Sequence, residues 1–458
     1  MAMLPGAAFA QDERTPPVAP NVQETPLPPA VTLPPPATSP ADVSARALTA
    51  DEAARIALRY QANIEAARGG LEAAQGRSQQ ARAGLLPSLT LSSGYTHADT
   101  LAGSGSTSGS SGTTTSTSAS NAPGFQASAT ARQLLWDFQH TRDTVRQANA
   151  QQRAAASGLT RAQSDTVFQA KQAFYSFAQA FRTVGVNETN VRNAQAHLAL
   201  AQARLKTGLG LPSDVVRAET AVSEAILNLN LAQNSASLAG VALAGVMGVD
   251  PRTPLTAADS DEPPVETNDV NALVNLALRS RPEVIQAQAN VDAATAGVGA
   301  ARTSGAPAVS ATLGTSARGP GFFPGNQSLT VGATVQWSIL DAGATAGRTR
   351  EARGLLQTAA ANLTLARQSA IADVAQAYLN LRSSEQRVTT ADAEVANAQE
   401  GVRLAEGRYR SGLGTFLDVT DAQSALLTAQ TNRVNASAAV DTARAALAHA
   451  TGAPLPAP

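Results

Sequence analysis

The sequence predicts a mainly helical fold with a small membrane β component, built by tandem duplication. Three observations predict it. The chain repeats itself once, each copy sustains helical periodicity over dozens of residues, and each copy holds two short segments that alternate apolar and polar residues. Composition agrees. Aromatic residues are 4% and charged residues 15% of 458, with Ala, Gln, Ser and Thr abundant. That mixture suits long thin helices packed through small side chains better than one thick globule. A formal net charge of -1 gives no pull toward nucleic acid. Cysteine is absent, so no disulfide, thiolate site or lipidated Cys exists in the chain. No apolar run is long enough for a transmembrane helix.

The repeat is read by direct superposition. Ile56-Ala57-Leu58-Arg59 falls on Leu276-Ala277-Leu278-Arg279, and the same offset of 220 carries Ile64 onto Val284 and Pro87 onto Pro307. Further along, Arg204 to Val215 falls on Arg408 to Val419 with an offset of 204, which carries Asp137 onto Asp341 and Gly248 onto Gly452. The difference is absorbed by the Gly/Ser/Thr run from Gly103 to Ser120, expected to be a surface loop between two strands.

In chain order, Ala8-Phe9-Ala10 before Gln11 has the small-x-small form of a signal-peptidase site, so residues 1–10 read as the end of a signal peptide. An unstructured start is the plainer reading. Residues 11–47, rich in proline, read as an extended tether. The first copy spans 48–248, a linker 249–268, the second copy 269–452 and a tail 453–458. Each copy opens with a helix, expected from about Asp51 to Leu85 and from about Val270 to Ser304. A hairpin follows, at 87–136 and 307–340. Its clearest strand puts Leu329, Val331, Ala333, Val335, Trp337 and Ile339 on one face and Thr330, Gly332, Thr334, Gln336 and Ser338 on the other. Next comes a helix from about Thr141 to Lys206, and again from about Ala344 to Arg410, each about 100 Å long. Its coiled-coil seam is Val191, Ala194, Leu198, Ala201 and Leu205, matched by Val395, Ala398, Val402, Ala405 and Tyr409. A helix of about half that length returns after a Gly-containing turn, with its own seam from Ala218 to Val246.

Strands of about ten residues have the length that crosses a bilayer at a tilt. One apolar and one Ser/Thr/Gly face fit lipid outside and water inside, although a small soluble sheet with one wet face shows the same alternation. Four strands cannot close, and lipid does not tolerate an open edge. Closure then falls to other subunits. Two would give eight strands and a filled interior, whereas three would give twelve and leave a lumen.

From about Leu48 to Gly452 the chain resembles the TolC-type outer-membrane efflux factors. The most specific signal is Arg204-Leu205-Lys206-Thr207-Gly208-Leu209-Gly210 leading to Asp214, recurring as Arg408-Tyr409-Arg410-Ser411-Gly412-Leu413-Gly414 leading to Asp418. The resemblance implies a homotrimer, a twelve-stranded barrel in the outer membrane of a Gram-negative bacterium and a helical tunnel in the periplasm. It implies contact with outer-membrane lipid. It also implies docking to a periplasmic adaptor and an inner-membrane RND or ABC transporter, for efflux or type I secretion.

It further implies that the two turns receive the adaptor, through Arg204, Lys206, Gly208, Leu209, Gly210, Arg408, Arg410, Gly412, Leu413 and Gly414. Asp214, Tyr409, Asp418 and Asp421 fall where the family places the entrance and gate. Where its best-known members carry a gate arginine this chain has Gly414, so Arg408 and Arg410 are the expected substitutes. Helix capping is the plainer reading of Asp214 and Asp418, which explains Asp421 less well.

Enzyme readings fail. No phosphate-binding Gly-rich loop is present, and His97, His140, His197 and His449 lie far apart with no metal spacing. His197 is expected on a solvated helix face. The Phe168, Phe174, Tyr175, Phe177 and Phe181 cluster reads as core. No cofactor is implied. The expected function is a passive export duct, and the rival class is a structural coiled-coil envelope protein or an adaptor without a pore.

Overall fold

A computed structural model describes residues 47–96, 124–258, 269–319 and 325–454. The expected signal-peptide end, nearly all of the tether and the loop from Gly103 to Ser120 lie outside the described residues. The elements run β1 (Ala47–Leu48), α1 (Ala50–Tyr60), α2 (Ala62–Ala83), β2 (Ser88–Thr96), β3 (Gly124–Trp136), α3 (His140–Lys206) and α4 (Pro212–Met247). After β4 (Thr256–Ala257) the second copy repeats them as α5 (Val270–Ser280), α6 (Pro282–Thr303), β5 (Ala308–Gly319), β6 (Asn326–Gln336), α7 (Ala344–Arg410) and α8 (Phe416–Thr451). Trp337 and Ile339, expected inside the last strand, lie just past its end. No helix among the described residues is long and apolar enough to cross a membrane.

The opening helix of each copy differs from expectation, because it is broken in two. Gln61 is extended at φ -73° and ψ 122°, and Arg281 at φ -65° and ψ 126°. Each break is met by a segment far away in sequence. The end of the returning helix abuts each break. Gln61 donates from its amide to the Val246 carbonyl at 3.1 Å, and the Ser280 hydroxyl donates to the Thr451 carbonyl at 2.7 Å. The returning helices end there on Gly248 and Gly452, at φ +72° and +69°, in the left-handed conformation that glycine adopts without penalty. A Cβ on Gly248 would lie 2.8 Å from the Tyr60 carbonyl oxygen, and one on Gly452 2.8 Å from Ser280 Oγ.

Each break overlies a core. In the first copy Phe174, Tyr175 and Phe177 of α3 pack against Leu243 and Met247 of α4 and Ala53 of α1. In the second, Val374 and Leu381 of α7 pack with Leu273 of α5 and Val440 and Leu447 of α8. The aromatic cluster is core as expected except at its ends. Phe181 is exposed, and Phe168 stacks on His449 with centroids 4.9 Å apart. Toward the tips packing passes to alanines, with Ala218, Ala225 and Ala232 of α4 all buried. Small seam residues let helix axes approach closely.

The strands form one antiparallel sheet in the order β2-β3-β5-β6. Its register keeps the two faces chemically distinct across all four strands. Leu89, Ala131, Leu313 and Val331 stand in one row, and Leu91, Ala129, Thr315 and Leu329 in the next. The opposite face carries the row Ser92, Ser128, Ser316 and Ser328, with hydroxyls 2.7 Å apart in one hairpin and 2.8 Å in the other. Leu89, Leu91, Leu329 and Val331 are 73–78% exposed, so this apolar face is bare within one chain. Aromatics mark both ends of that face. Tyr95 and Phe125 pair at 5.0 Å on the far side, and Trp136 stands at the helical side. Such girdles are the pattern at the two water interfaces of a membrane barrel.

Candidate functional site

The α3–α4 and α7–α8 turns lie at the end of the long helices away from the sheet. Both turns use the same glycine chemistry. Gly208 and Gly412 have φ +75° and +77°, which reverses the chain after each long helix. Gly210 and Gly414 have another reason. A Cβ on them would approach Leu205 N at 2.8 Å and Arg408 Cβ at 3.0 Å. The recurring Gly-x-Gly is thus one left-handed residue followed by one close approach. Leu209 and Leu413 between the glycines are 73% and 77% exposed, and Lys206 is exposed beside them.

Behind the turns the two copies meet. Tyr409 and Phe416 pack edge-to-face at 5.5 Å, over Ala201, Ala218 and Val419. The Tyr409 hydroxyl donates to Asp214 Oδ2 at 3.3 Å. Burial, the Asp214 charge and that hydrogen bond push the Tyr409 phenol above its ordinary pKa, against the opposing Arg204 charge. Arg204, expected only as a docking residue, lies over the Tyr409 ring at 4.6 Å. Its guanidinium donates to the carbonyls of Tyr409, of Arg410 at 3.1 Å and of Leu209 at 3.3 Å. An arginine of copy one therefore clasps the last turn of α7 in copy two. Of the two arginines expected to substitute for a gate arginine, Arg410 pairs with Glu406 at 2.9 Å and Arg408 is exposed near Asp418.

The three aspartates separate. Asp418 forms a capping box with Thr415, accepting from Thr415 N at 2.9 Å while Asp418 N donates to Thr415 Oγ1 at 3.3 Å. Hydrogen bonding to its carboxyl from the Thr415 backbone and then the Thr415 side chain, and after these the Arg408 charge, hold it below the usual range. Asp214 does not cap. The N-cap of α4 is Leu211 with no side-chain bond, and Pro212 follows. Its carboxylate serves Tyr409. Asp421 is exposed one turn further along α8.

His197 is not on a solvated face, which corrects the expectation. Its side chain is 12% exposed because α7 and α8 cover it from the other copy. Gln423 of α8 lies 2.6 Å from its Nε2, and Glu406 of α7 lies 3.6 Å from the same atom. Burial, and secondarily Arg410, lower its pKa, against the raising influence of Glu406. A cavity of about 170 Å³ adjoins it, lined by α3, α4 and α8. Among the described residues no group of three or more His, Asp or Glu is arranged to hold a metal ion.

Compared with known proteins, the chain matches the model of the outer membrane efflux protein family over residues 53–249 and 273–453. The chain belongs to this family. It is 28% identical to CyaE of Bordetella pertussis over 69% of the chain and 68% of that protein. It is 27% identical to the outer membrane efflux protein BepC of Brucella suis over 70% of each. Two solved structures share the fold. CusC superposes with a TM-score of 0.76 at 18% identity, covering 88% of this chain and 92% of that one. VceC of Vibrio cholerae superposes at 0.74 and 22%, covering 89% and 97%. As a member of the family the chain is an outer-membrane protein whose helical hairpins lie in the periplasm, and its general role is that of an efflux or secretion duct.

Proposed function

We propose that three copies close one barrel of twelve strands and form the exit duct of a tripartite efflux pump or type I secretion system. The observation that carries this reading is the sheet order. β2 and β6 each have one unpaired edge, and the apolar face between them is bare. In lipid those edges require partners, and identical copies supply them, β6 of one against β2 of the next. Below the barrel, α4 exposes Leu227, Leu231 and Leu238 on the side away from its seam, a second surface for a neighbouring copy. The exposed tips carrying Leu209 and Leu413 then form the inner mouth. They meet a periplasmic adaptor, which delivers cargo from an RND or ABC transporter.

Chemistry at the tip favours a latch over an enzyme. Asp214, Tyr409 and Arg204 tie the helix pair of copy one to that of copy two, and opening the mouth requires those ties to part. Relatives are named for pyoverdine export (OpmQ of Pseudomonas putida) and for cation efflux (CusC of Escherichia coli), so the family serves unlike cargoes. The inner transporter selects the substrate here.

The test exploits the absence of cysteine. Leu91→Cys in β2 and Val331→Cys in β6, combined in one chain, place thiols on the two open edges. A short bifunctional crosslinker should give dimers and trimers in outer-membrane fractions and nothing larger. Monomers only, or a ladder beyond three, would refute closure by three copies.

A further inference from the structure

His197 sits where three helices meet, and its surroundings pose a choice between two partners for one atom. Nε2 lies 2.6 Å from the Gln423 amide nitrogen of α8 and 3.6 Å from Glu406 Oε1 of α7. An amide nitrogen only donates, so the observed contact requires an unprotonated Nε2 that accepts. Protonation puts a hydrogen on that nitrogen; the amide nitrogen can then no longer serve it, and the Gln423 carbonyl oxygen, with the amide turned over, competes for the N–H against a charged acceptor. The carboxylate of Glu406 is the acceptor at hand. It is held within reach by Arg410, which pairs with its other oxygen at 2.9 Å.

From these contacts we infer that His197 is a proton-operated latch at the inner mouth, bound to Gln423 of α8 when neutral and to Glu406 of α7 when protonated. The charged groups around it are few. α7 contributes Glu406 and Arg410, α4 contributes Glu224 across the cavity, and α8 faces it with the uncharged Gln423. Arg410 opposes protonation, and Glu406 favours it.

The exchange has a mechanical consequence because of where Gln423 stands. It lies within two turns of the N-terminus of α8, next to Phe416 and Val419 of the Tyr409 cluster. The neutral state ties the start of α8 to α3. The protonated state releases that tie and strengthens one between α3 and α7 instead. The cavity of about 170 Å³ beside Gln423, lined by Ala218, Ala221 and Leu427 among others, leaves room for α8 to shift. Acid therefore loosens α8 against the first copy. The effect of the latch on transport rests on the duct reading above, but the latch is a property of the chain.

Hydrogen exchange of residues 416–427 tests it on the full protein in detergent, with rates corrected for the intrinsic pH dependence. On going from neutral to mildly acidic pH, protection in this segment should fall severalfold, while the segment around Val374 in the second core stays unchanged. His197→Gln should exchange at one rate across the range. Gln423→Glu supplies an acceptor where an amide stood, so its acid response should reverse and protection should rise. A flat wild-type profile, an acid response that survives His197→Gln, or a Gln423→Glu profile with the wild-type sign would each overturn the inference. Because the readout is exchange within one chain, these outcomes are independent of whether three copies form a duct.

Discussion

Tyr409 shows how much one side chain carries at the tip. Its hydroxyl holds Asp214, its ring carries Arg204, and its edge meets Phe416. Tyr409→Phe removes one hydrogen bond to a carboxylate at a long 3.3 Å, a loss of about 1 kcal/mol. The ring contacts survive, so thermal unfolding should barely move while openings in planar bilayers become more frequent. Arg204→Met should do more. It removes a donor from three carbonyls, of which that of Tyr409 keeps the Gly412 N–H, and about 2 kcal/mol is the expected scale. The pH dependence has a definite sign. A tyrosine whose folded pKa is raised contributes stability below its unfolded value, and that stability is lost as pH rises through the folded one. The Tyr409 link should therefore loosen only in strong alkali, which absorbance titration of the phenol checks against Tyr409→Phe. Asp418 has the opposite sign. Its depressed carboxyl supports the start of α8 above the ordinary aspartate range, and that support fades as pH falls through its folded pKa.

At the scale of elements, the two broken helices teach the most. The apolar residues of Asp51 to Leu85 and of Val270 to Ser304 keep helical spacing through the break, which predicts two continuous helices. In copy two a local signal existed, since Pro282 disfavours helical backbone at Arg281. Copy one has Gln61 followed by Ala62, with no such signal. There the break answers to Gly248, nearly two hundred residues away, and no local pattern reports it. The docking makes a sharp prediction. Gly248→Ala combines a left-handed backbone with a Cβ 2.8 Å from a carbonyl, and should cost about 1–3 kcal/mol in urea unfolding of the purified protein. Gly245→Ala, three residues earlier inside α4 with nothing within 4 Å of the new Cβ, should instead stabilise by about 0.5–1 kcal/mol. Equal effects from the two would mean that the C-cap does not dock as described. Strands were easier to read than helix breaks. Period-two alternation is local, and the registered rows of Leu and Ser repeat it across the sheet.

For the whole molecule, duplication explains both what the sequence disclosed and what it hid. Equivalent positions in the two copies exposed the architecture, because each copy repeats the same turn and the same helix lengths. The contacts at the helix tips break that equivalence. Arg204 reaches Tyr409, His197 reaches Gln423, and Asp214 takes the Tyr409 hydroxyl, each joining copy one to copy two. A superposition of the copies cannot show which member of one meets which member of the other. The same asymmetry bears on ion selectivity. In the trimer proposed above, three chains would bring Asp214, Asp418 and Asp421 toward one narrow opening, but the three carboxylates are not equally free. Asp214 is engaged by the Tyr409 hydroxyl. Asp418 accepts the Thr415 N–H and lies near Arg408. Asp421 is exposed one turn inward. A fixed charge in a constriction with low-dielectric walls raises the local cation concentration in proportion to how little of it is neutralised. Asp421→Asn should therefore reduce cation preference in reversal-potential recordings more than Asp418→Asn does. Asn still caps a helix, so Asp418→Asn should keep the start of α8 folded and mainly abolish its response to acid. If Asp418→Asn lowers cation preference as much as Asp421→Asn, the capping carboxylate also faces the lumen, and engagement in the capping box does not decide which charge the passing ion feels.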